Sequence, residues 1–497
     1  MAAAAALAVL TASCSSNTKP TNPRIAILPV ENLTGDPSFD WLTTAASTII
    51  AGETRASSGS TIFPAPAMRD AYSSNAGLVV HANFTKATGK SLRFSFAVED
   101  LTTHQMVQTL ETEGSALQGL DQFAHQLDPA ASAFSTSNLE ALEAWGSSDF
   151  AKAVEIDPGF GQAWLAQVRK LALGGNTAEA EGVAVRALAQ KSLHTDFERQ
   201  EIAAALAELK KDYRARAQAL EALAKLVPRD TGAQIAAAEA YTVARNYDAS
   251  SALYKKVLAA EPGNIAALNS LGYSEALAGR LDSPEQAFEN YGKLPGQAVN
   301  ALDSLGEAYF LNGKFREAQE YFEQAYKQDP KFLDGRTLVK AAYAHWLGGD
   351  ILGADQIFEG YASKRRESQG PLVDALWLYG TGRADQAKAR LNASAANPLS
   401  GRELALWNAA EAESRTVPPP ERIAQLKAAY ESTMPPKDAI ARTFYAYALA
   451  AAGRNDEARL LLQQWPLPMF EDPAAETLLY PRFLAARRKV GLSTLPE

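Results

Sequence analysis

Between Val299 and Phe332 the apolar positions fall into two stripes. Leu302, Leu305, Gly306 and Tyr309 recur at i, i+3, i+4 and i+7, one face of an α-helix. Asn312-Gly313 breaks that pattern, Phe315, Ala318, Phe322 and Ala325 form a second stripe, and Pro330 ends it. Two amphipathic segments around a short break predict an antiparallel helix pair with small residues at the crossing. One such pair cannot cover its own apolar faces, so the pattern requires several pairs, stacked.

The same punctuation recurs along the chain. Prolines stand at Pro158, Pro228, Pro262, Pro295 and Pro330, the last four spaced by 33 to 35 residues. Turn signals keep the same phase at Gly175-Asn176, Lys211-Asp212, Arg245-Asn246, Gly279-Arg280 and Gly313-Lys314, and continue at Gly349-Asp350, Gly382-Arg383 and Gly453-Arg454. This period, with the small and aromatic residues of Val299–Phe332, resembles the tetratricopeptide repeat (TPR). The resemblance implies an all-α TPR solenoid over about residues 138–490, wound as a right-handed superhelix and irregular after about 333. Pro284 falls inside an expected second helix and predicts a late start there, after Asp282-Ser283. Leu404–Ala412, Ile423–Tyr430, Ala439–Ala452 and Glu457–Gln464 read as helices, and Glu476–Val490 as a polar-faced cap.

The region before the repeats has a different period. Arg24–Val30 is a short apolar run, Leu92, Phe94, Phe96 and Val98 alternate with polar or small residues, and Leu78–Thr85 and Gln105–Glu113 are also strand-like. Helical spacing appears in Trp41–Ile50, Ala65–Ser73 and Ala116–Leu127. The predicted order is βαβα, then a β-meander, then a closing helix: an α/β domain over 24–128. Ile25–Pro37 (IAILPVENLTGDP) resembles the opening of TolB-like amino-terminal domains, with Val30 and Thr34 in place of an aromatic and a serine. That family supplies no catalytic residues to carry over. Thr88-Gly89-Lys90-Ser91 ends like a phosphate-binding loop, but its strand–turn–strand context predicts a hairpin turn instead.

At the amino terminus, the apolar run Ala2–Leu10 leads to Thr11-Ala12-Ser13-Cys14. This resembles a bacterial lipoprotein signal over residues 1–14, followed by a polar tether at 15–23, although no Lys or Arg precedes the run. The resemblance implies lipidation of Cys14 and a membrane anchor on the periplasmic face of the envelope, with the outer membrane favoured. The bland alternative is an Ala-rich tail with an incidental cysteine. Cys14 is the sole cysteine, so there can be no intrachain disulfide, and the five histidines show no metal-ligand spacing. With 48 Lys+Arg against 57 Asp+Glu, the net charge of −9 disfavours general nucleic-acid binding.

The TPR resemblance also nominates a groove. Its inward positions fall at Asn269 and Tyr273 in one unit and at Asn300, Asp303, Glu307 and Phe310 in the next. Amide and aromatic groups there suit a protein or peptide partner. No Lys or Arg occupies these positions in the two units, which argues against a clamp for a terminal carboxylate. Asp303 and Glu307, one helical turn apart, are an example of an acid pair that could serve as a general acid and base. Without a second catalytic constellation the expectation is a non-enzymatic protein-binding scaffold at the cell envelope, with no cofactor, metal or small-molecule substrate. A cytoplasmic signalling protein acting on a separate effector is the alternative.

Overall fold

The structure is a computed structural model that describes residues 24–492, apart from 55–60, 75, 90, 194, 370–371, 382, 393–416, 433–438, 464–482 and 484–485. Cys14, Lys90, Gly382, the expected helix Leu404–Ala412 and most of the expected cap lie outside the described residues. The chain divides into two compact units, Met1–Ala233 and Gln234–Glu497.

The first unit opens with strands β1 (Arg24–Ile27), β2 (Glu31–Asn32), β3 (Thr61–Pro64), β4 (Leu78–Lys86), β5 (Leu92–Asp100) and β6 (Gln105–Gly114), and helices α1 (Leu42–Glu53), α2 (Met68–Ser73) and α3 (Ala116–Leu127). The sheet order is β3-β1-β4-β5-β6, with β2 also on β4. β1 runs parallel to β3 and β4, whereas β4, β5 and β6 are antiparallel neighbours. Crossovers through α1 and α2 make the parallel pairs possible, and tight turns make the meander. Between β4 and β5 the Ala87 N–H donates to Ser91 O at 2.9 Å and the Ser91 N–H to Thr88 O at 3.3 Å.

Alternation along β5 sends Phe94 and Phe96 into a core with Ile27, Ile49, Val80, Leu120 and Phe123. Phe96 stacks on Phe123 with ring centroids 3.7 Å apart, which fixes α3 against the sheet. Ala26, Ala65, Ala71 and Val79 form a smaller core on the opposite face. Ser115 caps α3 in a reciprocal capping box with Gln118. The larger core does not stop at α3. It continues through Ala141, Phe160, Trp164, Val183 and Ile202 on the helices that follow.

Those helices come in pairs: α4 (Leu139–Gly146) with α5 (Phe150–Ile156), α6 (Gly161–Leu173) with α7 (Thr177–Ala189), and α8 (Asp196–Leu209) with α9 (Tyr213–Leu226). α10 (Thr231–Val243) and α11 (Tyr247–Ala260) follow. The second unit continues with α12 (Ile265–Leu277), α13 (Asp282–Gly292), α14 (Ala298–Leu311), α15 (Phe315–Gln328), α16 (Thr337–Leu347), α17 (Ile351–Gln369), α18 (Leu372–Gly380), α19 (Ala384–Asn392), α20 (Pro420–Ser432), α21 (Ala439–Ala451) and α22 (Asn455–Leu462). α13 begins at Asp282, so Pro284 sits inside its first turn rather than marking a late start. A missing N–H is tolerated there because first-turn donors have no intrahelical partner.

One device closes the turns within the pairs. Gly175, Lys211, Arg245, Gly279, Gly313, Gly349 and Gly453 all have positive φ, between 55° and 92°. The next residue then donates its N–H to the carbonyl five positions back, as in Lys314 to Tyr309 at 2.9 Å and Asp212 to Ala207 at 2.8 Å. This is the Schellman stop, which favours glycine because its left-handed residue has no Cβ to clash. Where Asp or Asn follows, its side chain can cap the next helix: Asp212 accepts from Ala215 N at 2.9 Å and Asn246 from Ala249 N at 3.2 Å.

The helix crossings repeat in the same phase. A Cβ added at Gly272 would lie 2.4 Å from the Phe288 ring, and one at Gly306 would lie 2.5 Å from the Phe322 ring. Each glycine sits sixteen residues before its phenylalanine, thirty-four residues apart along the chain. Gly306→Ala is therefore expected to destabilise the protein by about 1–3 kcal/mol through overpacking. That outweighs the roughly 1 kcal/mol that alanine gains in an unstrained helix. Urea unfolding followed by far-UV circular dichroism measures it, and a gain in stability would contradict the crossing geometry.

Candidate binding site on the first helices

Counting from the crossing residues aligns three units: Gly272 in α12, Gly306 in α14 and Ala342 in α16. The last step is thirty-six residues rather than thirty-four because of the link between α15 and α16. In that link Leu333, Asp334 and Gly335 all take positive φ. Ala342 is fully buried, and Phe358 follows it at the same spacing of sixteen.

This alignment shows what the expected groove residues bond to. Ser304, two residues before Gly306, lies 3.2 Å from the Tyr273 hydroxyl and donates to Asn269 Oδ1 at 3.4 Å. Lys340, two residues before Ala342, occupies the same place one unit on. Its Nζ donates to Asp303 Oδ2 at 2.6 Å and Glu307 Oε1 at 2.5 Å. Tyr273 also donates to the Glu307 carboxylate, linking the two levels. Each unit thus bonds the polar inward positions of the unit before it, and three first helices share one polar ladder.

Burial sets the electrostatics. The Lys340 side chain is 1% exposed and Asp303 4%. Burial works against the lysine's charge, but Glu307 and Asp303 outweigh it and hold the ammonium above its ordinary range. Burial pushes the Asp303 carboxyl up to about 6 against the pull of Lys340. Asp303 Oδ1 has no hydrogen-bond donor. Tyr273 is driven upward by burial and then by the Glu307 charge beside it. Two carboxylates sharing one buried lysine are committed to each other, which makes Asp303 and Glu307 poorly placed for general acid–base work.

The six expected groove residues therefore separate. Asn269, Tyr273 and Asn300 are half-buried on the first-helix face, and Glu307 keeps some exposure there. Asn300 donates to the Tyr291 hydroxyl at 2.7 Å. Asp303 is a buried ion-pair member rather than a groove wall. Phe310 is a correction: it is fully buried and meets Phe315 edge-on, with ring centroids 5.3 Å apart, so it belongs to the core. Lys340 and Ser304 were the residues missed. A polar residue two places before each crossing residue was the available signal, but the extra residues around Leu333–Gly335 hid the phase of the third unit. The expected lack of Lys and Arg concerned the inward positions of the first two units, and Lys340 aligns with Ser304, outside those positions.

Residues 299–332 match the family model described as Tetratricopeptide repeat. This segment is a tetratricopeptide repeat. The match covers α14 and α15, the helices joined by the Gly313 turn and crossing at Gly306, and the TPR provides the centre of the ladder. A curated relative, cellulose synthase operon protein C of Komagataeibacter sucrofermentans, is 31% identical over 86 residues, which is 17% of this chain and 6% of that protein. The chain thus spans a small fraction of that relative's length. Among solved structures, a tetratricopeptide repeat protein from Parabacteroides merdae is 12% identical at a TM-score of 0.35, covering 49% of this chain and 94% of its own. NprR in complex with its cognate peptide NprX is 14% identical at 0.28, covering 56% and 90%. MamA is 17% identical at 0.29, covering 34% and 92%. No residue correspondence follows from likenesses at these scores, so the TPR assignment rests on residues 299–332.

Among the described residues no cluster of three or more His, Cys, Asp or Glu could hold a metal ion, and no helix is long and apolar enough to cross a membrane.

Proposed function

We propose that this protein is a non-enzymatic protein-binding scaffold whose first-helix face takes a protein or peptide partner. The observation that carries the reading is the ladder. Asn269, Tyr273, Asn300 and Glu307 are held at fixed positions by Ser304, Lys340 and Tyr291, leaving amide, phenol and carboxylate edges on one face. Side chains locked by neighbours lose little entropy when a partner docks. TPR proteins mediate protein–protein contacts, which supports the same class. The right-handed superhelical winding, the TolB-like character of the α/β domain, lipidation of Cys14 and the outer-membrane location belong to this proposal and rest on sequence resemblance.

A photocrosslinking residue at Asn300 should capture the partner in cells, whereas the same residue at Arg316, exposed on the second helix, should not. Equal capture from both positions would remove the face from the reading. Labelled fatty acid should enter the parent and not the Cys14→Ala variant. Equal labelling, or unchanged membrane fractionation, would remove the anchor and favour the cytoplasmic alternative.

A further inference from the structure

A second site lies wholly within the first unit. The connector Ser132–Ser135, the starts of α6 and α8, and the end of α9 enclose a cavity of about 270 Å³. Phe134, Phe197 and Val227 give it apolar walls. Its polar lining centres on Glu198, which is 3% exposed and has no hydrogen-bond donor at bonding geometry on either carboxylate oxygen. Ser135 Oγ, also buried, has no partner. Buried carboxylates are ordinarily paired or fully hydrogen-bonded, because desolvation is otherwise uncompensated.

The surrounding fold makes room for this carboxyl. Gly161 opens α6, and a Cβ there would lie 2.6 Å from Glu198 Oε2. Phe160, at the α6 cap position, supplies no side-chain acceptor. On α8, Thr195 accepts the Glu198 N–H at 3.2 Å, which fixes the backbone where Glu198 meets the cavity. Burial pushes the Glu198 carboxyl up to about 7, with the Ser135 and Thr195 hydroxyls and the Gln162 N–H near enough to limit the rise. Among the described residues no Lys or Arg lines the cavity.

We propose that this cavity binds a primary ammonium on a short aliphatic stem, with Glu198 as its anion and Ser135 as a second acceptor. The ammonium supplies the three donors that the unpartnered oxygens lack, and the stem lies along Phe134, Phe197 and Val227. A free alkylamine and a lysine side chain share this chemistry. The site is independent of the first-helix face and does not rest on the proposed scaffold role.

Isothermal titration of the full chain with n-pentylamine, with an Nα-acetyl-lysine amide, and with n-pentanol as the uncharged counterpart tests it. At least one amine should bind and pentanol should not. Binding of the lysine amide would identify a polypeptide source, and binding of pentylamine alone a free amine. Glu198→Gln should weaken amine binding at least tenfold and Ser135→Ala several-fold, while Glu179→Gln, the same charge change at an exposed site on α7, should leave it unchanged. Failure of both amines to bind, or equal binding by Ser135→Ala and Glu198→Gln, would overturn the proposal. If Glu198→Gln does not fold, Ser135→Ala and the pentanol comparison decide.

Discussion

Lys340→Met is expected to lower the unfolding free energy by about 3–5 kcal/mol, the range for removing one partner of a buried ion pair. The lysine ammonium lies 2.6 Å from Asp303 and 2.5 Å from Glu307 inside the packed first helices. Methionine fills similar space without charge, so the loss isolates the electrostatic part. Two carboxylates would then share a dry site with no cation between them, and Asp303 Oδ1 already lacks a donor. The defect should be largest at pH 8 and should shrink toward pH 5. Asp303 can escape by taking a proton, because its carboxyl is raised to about 6 even with the lysine present. Combining Lys340→Met with Asp303→Leu and Glu307→Met should recover most of the loss, because apolar packing can replace a buried charged cluster. Urea unfolding at three pH values reads all of this. A loss below about 1 kcal/mol at pH 8 would show that the ladder is not closed by its lysine.

The sequence was most legible where one residue performs one local task. The turns at Gly175, Gly279 and Gly313 could be placed because glycine suits a left-handed helix stop, and the less obvious ones at Lys211 and Arg245 because they keep the same phase. The alternation of Phe94, Phe96 and Val98 likewise announced the strand that carries the first core. Legibility failed where the answer depended on a neighbouring unit. Whether position 310 faces a groove or a core is decided by Phe315 across the turn. Whether Asp303 is free is decided by Lys340, thirty-seven positions later in sequence. Helical periodicity reports which residues share a face, but not which element covers it. The left-handed link at Leu333–Gly335 added a second obstacle by moving the repeat phase by two residues. Glu198 was unreadable for the same reason: Thr195-Asp196-Phe197-Glu198 has the form of a capping box, yet the glutamate carboxyl lies against Gly161 at the start of another helix.

Raising the pH from 5 to 8 should destabilise the protein, and Glu53→Gln should remove much of that loss. Glu53 is the last residue of α1, 2% exposed, with Oε2 unpartnered. Burial pushes its carboxyl up to about 8, the nearby Asp121 charge on α3 adds to the rise, and the Phe134 N–H opposes it. The carbonyl end of a helix also disfavours a negative charge. In the unfolded chain this glutamate titrates near 4.5. Between that value and about 8 the native state therefore holds a proton that the unfolded state has released, and stability falls with rising pH. The contribution is fully present below pH 4.5 and is lost as pH climbs to about 8. Glu198, raised to about 7, and Asp303, raised to about 6, add losses of the same sign over narrower windows. At about 1.4 kcal/mol per unit of pKa difference, Glu53 alone amounts to several kcal/mol. Glutamine keeps the shape and cannot ionise, so Glu53→Gln should exceed the parent by about 2–4 kcal/mol at pH 8 and match it closely at pH 5. Urea midpoints at pH 5, 6.5 and 8 provide the comparison. A parent-to-variant difference that stays constant across that range would show that the Glu53 carboxyl is ionised in the folded protein throughout.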